Sequence, residues 1–167
     1  DTEIKSFDGA PCYSGQTEEA GCVGDTQNLA GSPLPRAPEL KYNLLADYNL
    51  ELDSMPFSGF ANISYTWQDE ATYNLTQNPL LTQESYGVAN ASFGINEKES
   101  DRYRVTLFVN NIFDKSYRTG MGDASELFGG KTAILQNLPR DSQRYFGVKV
   151  KYNLLMASIS AVRCVNP

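Results

Sequence analysis

From residue 40 to 52 the chain reads LKYNLLADYNLEL, and its even positions, Leu40, Tyr42, Leu44, Ala46, Tyr48, Leu50 and Leu52, are all apolar or aromatic. The intervening Lys41, Asn43, Asp47, Asn49 and Glu51 are hydrophilic, with Leu45 the exception. Successive side chains of a strand point to opposite faces, so this pattern predicts a strand with one apolar and one polar face. The stretch FSGFANISYTWQ repeats it on Phe57, Gly59, Ala61, Ile63, Tyr65 and Trp67, with Phe60 out of place on the polar side. Ala89, Ala91, Phe93 and Ile95 alternate more weakly. Tyr103, Val105, Leu107 and Val109 follow, and then Phe146, Val148, Val150, Tyr152 and Leu154. Helical spacing fits none of these windows.

Two things can cover such an apolar face, a second sheet or lipid. No run approaches the roughly 20 apolar residues of a membrane helix, and residues 1–7 lack the basic start and apolar stretch of a signal peptide. Strands of a membrane barrel are only half apolar, however, and escape a hydropathy search. A net charge of −6 without any histidine argues against nucleic acid, whose capture needs a basic stripe, and removes the commonest metal ligand and general base. The expectation is no catalytic site, no cofactor and no metal site.

Connections between the predicted strands alternate in length. Residues 53–56 and 96–101 are tight polar turns, whereas 8–38, 69–84 and 114–141 are long and rich in Gly, Asn, Asp, Thr and Pro. An outer-membrane barrel has this arrangement, with short periplasmic turns and long extracellular loops. Counting residues 2–7 as a first partial strand gives six strands, the last descending to a periplasmic C-terminus. Aromatics fall near both strand ends, as expected of rings at headgroup level. Tyr42, Tyr65, Trp67, Tyr86, Phe113, Tyr145 and Phe146 lie toward the long loops; Tyr48, Phe57, Phe93, Tyr103 and Tyr152 lie toward the short turns. Leu44, Leu50, Ile63, Val105, Leu107, Val148 and Val150 are expected to face lipid, with Asn43, Asp47, Asn62, Thr106 and Lys149 facing the lumen.

Three stretches carry a family resemblance. NNIFDKSY, residues 110–117, resembles the Asn-x-Phe-Asp-x-x-Tyr signature of TonB-dependent outer-membrane receptors, here Asn111, Phe113, Asp114 and Tyr117. The segment LAGSPLPRAPELKYNLLADY looks like the family's Leu-Pro-x-Ala-Pro lead into a descending strand, with Glu39 where the family often has a basic residue. RYFGVKVKYNL resembles the closing strand, although Leu154 replaces the usual terminal aromatic. The resemblance implies an all-β fold, an antiparallel up-and-down transmembrane β-barrel segment contributing about six strands of a barrel of about 22. Residues 1–154 would be barrel and 155–167 a disordered non-barrel tail. It implies a bacterial outer-membrane receptor, not an enzyme, for active uptake of a scarce ligand such as a siderophore, vitamin or oligosaccharide. The implied partners are outer-membrane lipid, an N-terminal plug and further strands of the same receptor, TonB through the upstream region, and a small-molecule ligand. Two readings stand beside it: a passive outer-membrane barrel or adhesin, and a soluble β-sandwich binding carbohydrate through Tyr65, Trp67 and Tyr73.

Cys12 and Cys22 are spaced to close a small ring in an oxidising compartment, and their loop also resembles one found in some members of the family. Zinc is the alternative, but two cysteines without histidine are short of ligands. The sequons at Asn62, Asn74 and Asn90 are expected to stay unmodified, since two of the three lie inside predicted strands and a bacterial outer membrane offers no such modification as routine. The glycine-rich residues 120–131 lack phosphate-loop spacing and read as a mobile outer loop.

Overall fold

Alternation of this kind commits the chain to long strands, and eleven antiparallel strands, long and short, form among the described residues. A computed structural model describes residues 2–99 and 102–153. The strands are β1 (Ala10–Pro11), β2 (Thr26–Gln27), β3 (Lys41–Leu50), β4 (Phe57–Gln68), β5 (Ala71–Thr72), β6 (Thr82–Gln83), β7 (Tyr86–Glu97), β8 (Tyr103–Asn110), β9 (Gly120–Asp123), β10 (Ile134–Asn137) and β11 (Tyr145–Tyr152). Five long ones make a single sheet in the order β11-β8-β7-β4-β3, every neighbour joined to the next in sequence. The six short ones pair within the long connections, β1 with β2, β5 with β6 and β9 with β10. Each long connection thus carries its own ribbon, and residues 120–131, read above as a loop, fold partly as one arm of the β9–β10 hairpin.

The first partial strand expected at residues 2–7 does not join the sheet, which has five strands rather than six. That segment makes one isolated bridge, Glu3 with Pro33, and backbone hydrogen bonds to residues 29–34 of its own loop. It lacks the alternation that earns a place in the wall, and Asp8 and Gly9 break it after six residues. The tail 155–167 and Leu154 lie outside the described residues.

Burial is the reverse of a globular β-protein. The large side chains that are fully enclosed, Leu29, Leu81 and Asn111, lie in the long connections, where Ala10, Ala71, Met121 and Ala124 are buried in or beside the short ribbons, and only Phe60, Val88 and Ala89 are apolar residues buried in the five-stranded sheet among the described residues. In the sheet, Ile63, Phe93, Val148 and Val150 are more than half exposed. A water-soluble monomer does not leave a continuous apolar face bare, so this face belongs against something apolar. Among the described residues every other sheet has only two strands. No helix of the described residues is long and apolar enough to cross a membrane.

The short-turn end is tied by backbone and side chain together. Lys98 donates its backbone N–H to the Pro56 carbonyl at 3.0 Å and its ammonium to the Leu52 carbonyl at 2.8 Å, with Glu51 at 3.5 Å.

Candidate functional site

Pairing register decides which residues share a face. Ala46, Ile63, Ala91, Val109 and Phe146 line up in one row across all five strands. Stepping by two along each strand puts Tyr42, Leu44, Tyr48, Leu50, Tyr65, Trp67, Phe93, Leu107, Val148, Val150 and Tyr152 on the same face, since the side-chain period is two. Tyr42 stacks on Trp67 at 5.5 Å, and Tyr103 meets Tyr152 at 5.0 Å, so aromatic pairs mark both ends of that face. Its reverse carries Asn43, Asp47, Asn62, Thr66, Asn90, Ser92, Thr106 and Lys149. Here Asn62 donates to Asp47, Thr66 to Asn43, and Ser92 to the Asn62 side-chain carbonyl at 3.2 Å. Two aromatic residues of this face, Phe60, read as out of place, and Phe108, cover glycines. A Cβ on Gly94 would lie 2.8 Å from Phe60 Cζ, and one on Gly147 would lie 2.7 Å from Phe108 Cζ. Each ring occupies the space its neighbour leaves empty. A groove of about 550 Å³ runs over this polar face, bordered by Asn62, Asn90, Thr106, Phe108, Tyr145 and Lys149.

Where β8 ends, Asn111 knots the rim together. It sits at φ 52° in the left-handed region, which asparagine tolerates. Its backbone N–H donates to the Asn90 side-chain carbonyl at 2.9 Å, and its amide donates to the carbonyls of Lys115 at 3.0 Å and Asp141 at 2.9 Å. Its side-chain carbonyl accepts the Lys115 N–H at 2.9 Å. Asp114, also at positive φ, accepts the Arg144 N–H at 2.7 Å, which fixes the start of β11 against the end of β8. Phe113 is 70% exposed. Tyr117 stacks on Tyr86 at 4.6 Å.

From this knot the long connections lace into one layer. Tyr73 donates its hydroxyl to the Arg118 carbonyl at 3.0 Å, and the Arg118 N–H donates to the Gln83 side chain at 2.9 Å, joining the second loop to the third. Gln27 donates to both Pro11 and Thr76 carbonyls, and Gln77 donates to the Pro33 carbonyl, joining the first to the second. Cys12 and Cys22 are disulfide-bonded with Cα atoms 5.8 Å apart, closing the outer part of the first loop. A cleft of about 390 Å³ opens where all three meet, between Cys12, Tyr13, Asn74, Asp123, Ser125 and Leu127. Burial raises the Tyr73 phenol above its ordinary value, with Arg36 opposing. Burial, then Asp141 and Tyr145, raise that of Tyr117. The Ser125 hydroxyl and backbone N–H hold the Asp123 carboxyl below its usual range.

Two aromatics expected in the headgroup belt are elsewhere. Tyr86 pairs with Gln68 and Tyr145 with Asn110, which sets both on the polar face. Tyr145 donates its hydroxyl to Asp141 at 2.9 Å. Each begins its strand, where one residue of register decides the face and the alternation has no preceding residue to anchor it. Sequence reading also missed Gln27, Asn78 and Gln83, which are buried and hydrogen-bonded inside the loop layer. Their signal is weak because polar loop residues give no periodicity.

The family model described as TonB dependent receptor-like, beta-barrel matches residues 7–112, more than half of the chain. No solved structure matches the chain.

Proposed function

The chain belongs to the TonB-dependent receptor-like β-barrel family, and from that premise we propose that it forms wall and outer loops of a receptor for active uptake of a scarce ligand, such as a ferric siderophore, a vitamin or an oligosaccharide. Its place is the outer membrane, and its family is one of receptors rather than enzymes. The observation that carries the proposal is the unbroken apolar row across five strands, backed by a polar face and crowned at one end by a hydrogen-bonded loop layer. Lipid covers the apolar face, and the aromatic pairs Tyr42–Trp67 and Tyr103–Tyr152 lie at its two boundaries. The polar face lines the lumen. The three long connections face outside the cell and the short turns face the periplasm. Uptake is driven by TonB acting on the upstream part of the receptor, while the loop layer guards the outer mouth.

Orientation and function separate in one set of experiments on the complete receptor. A membrane-impermeant maleimide applied to intact cells is expected to label Leu127→Cys in the third loop, where the native leucine is 82% exposed, and to spare Met55→Cys in the first short turn. The reverse labelling would reject the orientation. Uptake that persists without TonB would favour the passive barrel.

A further inference from the structure

Side chains of a strand repeat every two residues, so a slip of two along a neighbour leaves every apolar residue on its own face. Alternation alone therefore does not select the pairing observed. Between β3 and β4, and between β7 and β8, a short turn selects it, because turn type and loop length fix how a hairpin pairs. The other two junctions, β4 with β7 and β8 with β11, are closed by the long connections 69–85 and 111–144. Closing a long loop costs almost the same with two residues more or fewer, so these connections leave the register open.

It is at these two junctions that rings lie over glycines. A Cβ on Gly87 would stand 2.7 Å from Tyr65 Cζ, and the rings of Phe60 and Phe108 crowd Gly94 and Gly147 as closely. Across β3 and β4, by contrast, Gly59 has the Leu50 side chain beside it at an ordinary 3.5 Å, and across β7 and β8 Gly94 meets the backbone carbonyl of Val105. A two-residue slip in either direction would bring Ser85 or Ala89 under Tyr65, and Ser92 or Asn96 under Phe60. It would bring Tyr145 or Lys149 under Phe108. Each of these carries a side chain into the space the ring now fills.

We propose that the three ring–glycine pairs are register locks, which select one pairing of strands where a long loop leaves it open. The device works whichever face of the sheet meets lipid, so its failure would leave the family reading untouched.

The test reads register in the complete receptor from which introduced cysteines oxidise to a disulfide. Directly opposed Cβ atoms stand about 4.5 to 5.5 Å apart and diagonal ones roughly 7 Å, the latter beyond the reach of the bond. Thr106→Cys with Lys149→Cys reports the native pairing of β8 with β11. Arg104→Cys with Lys149→Cys, and Thr106→Cys with Lys151→Cys, report the two slips. With the lock intact, copper–phenanthroline should join only the native pair. Phe108→Ala empties the lock and Gly147→Leu blocks it, and each should raise the ratio of slipped to native disulfide about tenfold. The swap Phe108→Gly with Gly147→Phe should return the ratio to its starting value, since a Cβ on Gly147 meets only the Phe108 ring. Disulfide confined to the native pair in Phe108→Ala, whether or not Gly147→Leu inserts, would assign the register to the rim contacts of Asn111 and Asp114 and overturn the proposal. Loss of the native β7–β8 pairing in the same variants, read from Asn96→Cys with Arg104→Cys, would overturn it too, since that result means a general loosening of the sheet.

Discussion

Asn111 is fully buried and satisfies its side chain completely, and no other residue type can do what it does there. Alanine would leave the Lys115 N–H and two carbonyls without partners and would resist the positive φ. Asn111→Ala is therefore expected to cost about 2 to 4 kcal/mol, read as a shift of the urea unfolding midpoint of the complete receptor in detergent. Asn111→Asp keeps the acceptor for Lys115 but turns a carboxylate toward the carbonyls of Lys115 and Asp141, and should do no better. At the lipid face the relevant comparison is between neighbours. Ile63 and Ser64 are adjacent in the middle of β4 and point opposite ways. Ile63→Arg should cost about 2 to 4 kcal/mol near the bilayer midplane, and Ser64→Arg much less, since the lumen is wet. Ser64 loses only a 3.3 Å hydrogen bond from Asn90. Equal unfolding midpoints for the two variants would refute the assignment of faces.

At the scale of elements, what could be read in advance was what repeats. β4 and β8 emerge at the residues where alternation places them, because every second side chain there obeys the same demand. The loop layer obeys no period. Its ribbons are held by single contacts, such as Gln27 with Thr76 and Tyr73 with Arg118, between residues far apart in sequence. The motif around Asn111 was visible as a pattern, but its role as a knot depends on Asn90 and Asp141, which no local window connects to it. Within the third loop, Asp123 accepts the Ser125 N–H at 2.8 Å and so anchors the turn between β9 and β10. Its carboxyl has a lower pKa folded than unfolded. The folded hairpin therefore binds the proton less readily. The stabilisation is present above the ordinary carboxylate range and is lost as pH falls through the folded value. Protease cleavage between residues 124 and 133 should accelerate on acidification through that range. In Asp123→Asn cleavage should already be faster at neutral pH and show no such acid step; an unchanged acid step would assign it to another group.

For the molecule as a whole, the decisive feature is two open edges. β3 offers ten residues and β11 eight, neither contains proline, and within the described residues each is paired on one side only. Unpaired strand edges are templates for further pairing, and in lipid they are intolerable, since nothing there can satisfy their N–H and carbonyl groups. Five strands are too few to remove the edges by closure, because the smallest barrels need about eight. Both edges therefore need strand partners beyond these five. Expressed alone and transferred to detergent, residues 1–167 are expected to associate through these edges into mixed oligomers, seen by light scattering. The backbone amides of β3 that point away from β4 should exchange with solvent far faster than those of β4 and β7, whose strands are paired on both sides. In the complete receptor the same β3 amides should be as slow as the centre of the sheet. A monodisperse, protected monomer from residues 1–167 alone would mean that the sheet closes on itself, and the open-wall description would have to be abandoned.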